Sequence, residues 1–193
     1  MADTTKNKVT YGLKNVHVWP IESTDDSGKP TYGTDIPWPG AVDMTLDAEG
    51  SSDPFYADDS TYYQGIVNSG YSGKFTSADI PTDFLTNVMN EEVDAGGAHF
   101  ESSDARPKEF AIAFEFKGDA KHRRHIFYRC LATRPSISSK TVEDKSEPNT
   151  PELDFTASAR LDINKVKAWC EEGDACYDSW FTKPYEYTAT TTS

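Results

Sequence analysis

The sequence predicts a mainly β domain with one flanking α-helix and long loops. Three observations carry that expectation. Apolar and polar residues alternate with period two in several separate stretches. A single stretch shows helical periodicity. Turn-forming residues crowd the segments between them.

Taken in chain order, residues from Val9 to Asn15 are short and β-like, and in "VHVWPI" Val16, Val18 and Pro20 alternate with His17 and Trp19. Residues 22–40, "ESTDDSGKPTYGTDIPWPG", are full of turn formers and read as a long loop. "AVDMTLDAEG" resumes the alternation, with Val42, Met44 and Leu46 expected to point one way. In "ADIPTDFLTNVMNEE", Pro81 suits a first helical turn, and Asp79 and Asp83 favour the positive end of the macrodipole. Phe84, Leu85, Val88 and Met89 share one helical face, and Gly96-Gly97 supports a break after about residue 90.

The strongest β signal is residues 110–134. Phe110, Ile112, Phe114 and Phe116 alternate with Ala111, Ala113, Glu115 and Lys117, "GDA" supplies a tight turn, and "KHRRHIFYRCLA" reads as the returning strand of a hairpin. Strict alternation there places Ile126, Tyr128, Cys130 and Ala132 on one side, and Arg123, His125, Phe127 and Arg129 on the other. Residues 135–151 read as another polar loop, "ELDFTASARLDI" as a further strand, and "TATTTS" as a mobile end. With no internal repeat and no clear linker, the expectation is a single domain over residues 1–193 with extended N- and C-terminal arms.

The chain is 193 residues with a formal net charge of −13, and its 10 Phe, 10 Tyr and 4 Trp are enough to anchor a core. Charge is uneven. Residues 22–104 hold 17 acids against Lys29 and Lys74, whereas residues 106–145 hold ten basic residues against five acids. An acidic body repels a phosphate backbone, which disfavours nucleic acid as a held ligand. Three cysteines are too few for a disulfide framework and fit synthesis in a reducing cytoplasm. No apolar signal core and no run of about 18 apolar residues appears, so neither export by an ordinary signal peptide nor membrane insertion is expected.

Chemical motifs fail on spacing. On a strand, His122 and His125 face opposite ways, as do His125 and Cys130, while His122 and Cys130 stand roughly 26 Å apart, too far to share a zinc ion. "DPFYADDSTYYQ" lacks the glycine and the terminal glutamate of a calcium loop. "GIVNSGY" lacks the P-loop lysine, and "CEEGDAC" has no second cysteine pair. No catalytic, metal-binding or cofactor-binding residue is expected. Exposed aromatics in "PWPG" and "FYADDSTYY" suit interface anchors, namely Trp38, Phe55, Tyr56, Tyr62 and Tyr63. Arg123, His125 and Arg129 are expected to meet acids on a neighbouring strand or subunit.

Several segments carry a resemblance: "KVTYGLKNVHVWPI", "PGAVDMTLDAEGSSDPFYADDSTYY", "NSGYSGKFTSADIPTDF", "EFAIAFEFKGDAKHRRHIFYRCLATRPSISSKT" and "EPNTPELDFTAS". In this order, over roughly residues 8 to 165, the chain resembles the major tail proteins of long, non-contractile-tailed phages (siphoviruses) of Gram-positive hosts. "CEEGDACYDSWF" matches less well, which leaves the role of Cys170 and Cys176 open. The resemblance implies a tail-tube β-sandwich or barrel with a flanking helix, assembled as hexameric rings stacked into a virion tail tube. Its partners would be further copies of itself, the tape-measure protein and other tail proteins, with DNA only in transit during genome ejection. Another ring-forming tail component, a terminator or connector, is the alternative. A metal-dependent hydrolase using His122, His125 and nearby acids ranks below both. The loops 22–40, 48–64 and 135–151 are expected to order on assembly.

Overall fold

A computed structural model describes residues 11–136 and 150–189. Eleven strands and one short helix follow in the order β1 (Leu13–Thr24), β2 (Pro30–Tyr32), β3 (Ile36–Trp38), β4 (Ala41–Ala57), β5 (Ser60–Ser77), α1 (Thr82–Asn87), β6 (Glu92–Val93), β7 (His99–Phe100), β8 (Phe110–Phe116), β9 (Arg124–Ala132), β10 (Glu152–Ser158) and β11 (Lys167–Cys170). The mainly β expectation holds. One antiparallel sheet runs β2-β1-β8-β9-β10-β5-β4, with β3 added beside β1 and β11 beside β9, while β6 and β7 form a separate two-stranded ribbon.

The sheet curls until its two ends meet across one core. Trp38 of β3 lies at the β1 end, yet its ring sits 5.0 Å from that of Phe75 on β5 and 4.7 Å from Phe84 of α1. Val16, Val18, Phe110, Ile112, Phe114, Phe127, Cys130, Leu153 and Phe155 complete that interior. The helix packs on this core through Phe84, and Val88 and Met89 just after it join the same core. It is shorter than its periodicity suggested, with Pro81 as N-cap and Val88 already past the last helical turn.

A second core lies on the opposite face of β1, β8 and β9. Trp19, Ala111, Ala113, Ile126 and Tyr128 are covered there by a C-terminal strap carrying Tyr177, Trp180, Phe181 and Tyr185. The hairpin is therefore buried on both faces, which explains why its alanines as well as its phenylalanines are inaccessible.

Bulges correct two expectations drawn from alternation. Along β9, Phe127, Cys130 and Ala132 face the inner core, whereas Ile126 and Tyr128 face the strap. The register slips opposite, between Phe110 and Ile112, so two successive residues of β9 share the outer face and the phase inverts. The same happens at the start of β4. A slip between Ala41 and Asp43 turns Val42 outward, 55% exposed, while Ala41, Met44 and Leu46 pack inward.

The hairpin turn is also longer than "GDA". Strand β9 begins only at Arg124, and Asp119 organises residues 117–123 by accepting hydrogen bonds from the backbone N–H groups of Lys121 and Arg123. Residues 22–40 are not a plain loop, since they hold β2 and β3, and most of 48–64 lies in β4 and β5. Strand β10 stops at Ser158 instead of continuing through Ile163. Residues 137–149, most of the polar loop read at 135–151, lie outside the described residues.

Candidate subunit-interface surface

The β4–β5 hairpin is the feature that the domain does not use up. The two strands pair from Ala41↔Ser77 to Ala57↔Ser60, but β10 joins β5 only over Tyr71–Thr76. From Gly50 to Val67 the hairpin stands as a two-stranded ribbon, roughly 25 Å long at 3.3 Å per residue. Asp58 and Asp59 close it with φ of 50° and 55°, the left-handed pair that a tight primed turn requires, and aspartate tolerates that region. Among the described residues no strand pairs with the outer edge of β4.

Two consequences follow from the physics of such a ribbon. An isolated two-stranded hairpin is marginal in water. A long strand edge presents unpaired backbone groups that invite another chain. Val67 and Tyr63 on this arm are 53% and 67% exposed, so apolar surface accompanies the open edge.

Closer to the domain, β4, β5 and β10 present an outer face of acids and hydroxyls. Cross-strand rows run Asp43–Thr76–Glu152, Thr45–Lys74–Asp154 and Asp47–Ser72–Thr156. Glu49 extends the face and accepts a hydrogen bond from Ser72 Oγ at 2.7 Å. Lys74 is the lone basic residue among these and is shared between Glu152, at 2.8 Å, and Asp154, at 3.9 Å. Five carboxylates against one lysine leave this patch strongly negative.

The basic island of the hairpin turns inward on its own chain. Arg123 Nε bonds Asp119 at 2.9 Å, Arg129 bonds Glu109 at 2.7 Å, and Lys121 bonds Glu171 at 2.8 Å. Arg124 Nε donates to Glu115 at 3.1 Å, while its guanidinium lies 3.7 Å above the Tyr177 ring. The counter-charges expected for Arg123 and Arg129 are thus found within the same chain. Among the described residues, none forms such an ion pair with His125. Its ring stacks on Phe114 at 5.5 Å, and burial, aided by Arg123 and Lys167 against Asp119, lowers its pKa to about 4, so it is neutral.

The anchor candidates separate. Trp38 is 2% exposed and bonds the Asp79 carbonyl through its indole N–H, so it belongs to the core and is corrected as a surface anchor. Tyr63 stands exposed on the arm. Phe55, Tyr56 and Tyr62 have their backbones in the arm, and their side chains lie outside the described ones. Arg123, His125 and Arg129 are half-buried. His122, on the turn, lies 3.8 Å from Glu172, and no group of three ligating side chains among the described residues could hold a metal ion.

Sequence reasoning missed the strap and its anchor, Arg160. That guanidinium is 1% exposed, pairs with Asp162 at 2.6 Å and Glu186 at 3.1 Å, and lies over Tyr128 at 5.4 Å. The available signal was aromatic density in "CYDSWFTKPYEY", where five aromatics fall within twelve residues.

No protein-family model matches the chain, and no curated protein matches it. Among solved structures the chain is similar to the cryo-EM structure of the anti-feeding prophage cap, a tube-terminating cap, at 11% identity and a TM-score of 0.34. The match covers 89% of this chain and 99% of that one. No helix among the described residues is long and apolar enough to cross a membrane.

Proposed function

We propose that the chain is a structural tail protein of a bacterial virus, polymerising as stacked rings into the tube through which DNA is delivered. The observation that carries this reading is the β4–β5 arm, a ribbon too thin to be stable alone, whose outer edge pairs with no strand among the described residues and so offers itself to another chain. A heterologous contact of that kind closes into a ring or runs on as a filament. The six-fold ring and the long-tailed phage setting come from the sequence resemblance over residues 8 to 165.

In the tube, the face of Asp43, Asp47, Glu49, Glu152 and Asp154 would line the bore. DNA carries about one charge per 1.7 Å of axis, so a negative, hydroxyl-coated wall lets it pass without sticking. The protein acts by geometry and charge, with no catalytic step.

Negative-stain microscopy of purified protein is the test. Tubes of uniform bore support the reading, and single rings that never stack point to a terminator. Monodisperse monomers at high concentration across several salt conditions would sink both.

A further inference from the structure

Two of the three cysteines flank the reversal that leads from β11 into the strap over the second core. Cys170 ends β11, paired opposite Arg124 on β9, and is 2% exposed. The chain then reverses through Glu171–Asp174. The Asp174 N–H donates to the Glu171 carbonyl at 3.1 Å, and the Glu171 N–H donates to Asp174 Oδ2 at 2.8 Å. Gly173, at φ +98°, supplies the left-handed residue that lets so tight a reversal close.

This turn is clamped from outside as well. The Glu172 N–H donates to the Lys121 carbonyl at 3.2 Å, and Lys121 Nζ reaches Glu171 at 2.8 Å. The reversal delivers Cys176 back to Cys170. Both side chains pack in the same apolar cluster, and Cys176 is among the neighbours that act on the Cys170 thiol. Cys176 is half-buried, whereas Cys170 is buried. Immediately after Cys176 the chain winds through successive turns that place Tyr177 and Trp180 on the second core.

We propose that Cys170 and Cys176 form a thiol pair that closes to a disulfide when a small-molecule disulfide reaches Cys176, stapling the aromatic strap to the outer face of β9 and β11. The exchange runs in two steps. The Cys176 thiolate attacks one sulfur of the small disulfide, forming a mixed disulfide and releasing one small thiolate, which takes up a proton. The Cys170 thiolate then attacks Cys176 Sγ, forming the internal bond and releasing the second small thiolate, again protonated. Two protein thiols are oxidised and one small disulfide is reduced to two thiols, the two protons passing through solvent from protein to product.

Burial and the neighbouring Cys176 raise the Cys170 thiol to about 12, with Arg124 opposing, so the second step is the slow one. The chemistry suits a protein made under reducing conditions and later met by oxidising ones. It does not depend on the tube reading, because both sulfurs lie in one chain. Cys130, fully buried in the other core with its thiol raised by burial, serves as the internal control.

The experiment uses the reduced full-length chain, freed of reductant and incubated with oxidised glutathione at about pH 8, where a thiolate fraction exists. The folded protein is expected to lose two hydrogens in mass and keep no glutathione. Cleavage after Glu171 or Glu172 should leave the fragments joined until reductant is added, with Cys130 unmodified. Amide exchange over residues 174–181 should slow at least about tenfold in the oxidised form, a shift that reflects closed strap openings. Cys170→Ala should stop at a glutathione adduct on Cys176. Three outcomes on the wild-type chain overturn the proposal: an adduct on Cys176 that never resolves, two persistent free thiols in a protein with native near-ultraviolet dichroism, or linkage that forms only after denaturation. None of these depends on whether the variant folds, and none bears on whether tubes form.

Discussion

Arg124 Nε donates to Glu115 Oε2 at 3.1 Å directly across the β8–β9 ladder, where the carboxylate is only 6% exposed. Lys14 holds the other oxygen at 2.8 Å. Burial alone would raise the pKa of Glu115, but the hydrogen bonds from Lys14 and Arg124 outweigh it and hold the carboxyl below its usual range. Arg124 in turn carries the strap, since its guanidinium covers Tyr177 and donates to the Tyr177 carbonyl. Glu115→Ala therefore strands a half-buried cation and loosens two layers at once. The expected loss is about 2–4 kcal/mol in urea unfolding, in line with breaking one side of a buried pair. Trp180 emission should shift to the red before the main transition, and Glu115→Gln should cost less.

His125 sets the acid limit of the fold. Its folded-state pKa of about 4 lies below the unfolded value near 6.5, chiefly because burial disfavours the charged ring. The unfolded chain thus binds the extra proton first, and stability falls as pH drops from about 6.5 to 4. The ceiling on that loss is about 3 kcal/mol, at 1.36 kcal/mol per unit. Glu115, whose pKa is depressed, loses its contribution as pH falls further through the carboxylate range. His125→Phe keeps a ring on Phe114 and should flatten the slope between pH 6.5 and 4 while leaving the lower limb. Unfolding midpoints measured at several pH values decide this, and an unchanged slope would contradict it.

Gly73 sits opposite Phe155 in the β5–β10 ladder, and the phenyl ring lies across it. A Cβ built at Gly73 would fall 2.5 Å from Phe155 Cζ and 2.8 Å from both Cε atoms. Phe155 is 2% exposed within the inner core, so its ring has little room to withdraw. Gly73→Ala should cost roughly 1–3 kcal/mol, the range for overpacking a filled core. Gly73→Ala with Phe155→Leu should recover part of that loss, and a thermal melt of both variants checks it.

Much of this fold was legible where one residue of alternation meant one change of face. Phe110, Ile112, Phe114 and Phe116 behave so, and β8 presents the two faces that its alternation predicts. The same rule misplaced Ile126, Tyr128 and Val42, because a bulge shifts phase without leaving a mark in composition. The arm was hidden for a related reason. "DPFYADDS" is turn-rich because its turn places two aspartates at positive φ, not because the segment is irregular. Trp38 misled in the opposite sense, since its flanking prolines suggested an exposed loop while the curl of the sheet carried it inside. Of the interface surface, the acidic excess was visible in the sequence, but its convergence on one face required the registers of β4, β5 and β10.

That convergence makes the last prediction specific. In the row Thr45–Lys74–Asp154 and the adjoining row Asp47–Ser72–Thr156, the two aspartates flank the single lysine of the face. Asp47→Lys with Asp154→Lys would set three lysines within neighbouring rows, turning those two rows positive and bringing the whole face, which keeps Asp43, Glu49 and Glu152, to neutrality. These side chains are exposed and bury no apolar surface, so folding should change by under about 0.5 kcal/mol. Wild-type protein should leave duplex DNA unshifted on a gel at moderate salt. The double variant should bind it, with affinity falling steeply between roughly 50 and 200 mM salt as counterion release requires. Reversing two acids off this face, such as Asp83 and Asp104, should leave DNA unbound. If that control binds DNA as well as the first variant does, then net charge, and not this face, governs the repulsion, and these strands do not line the bore.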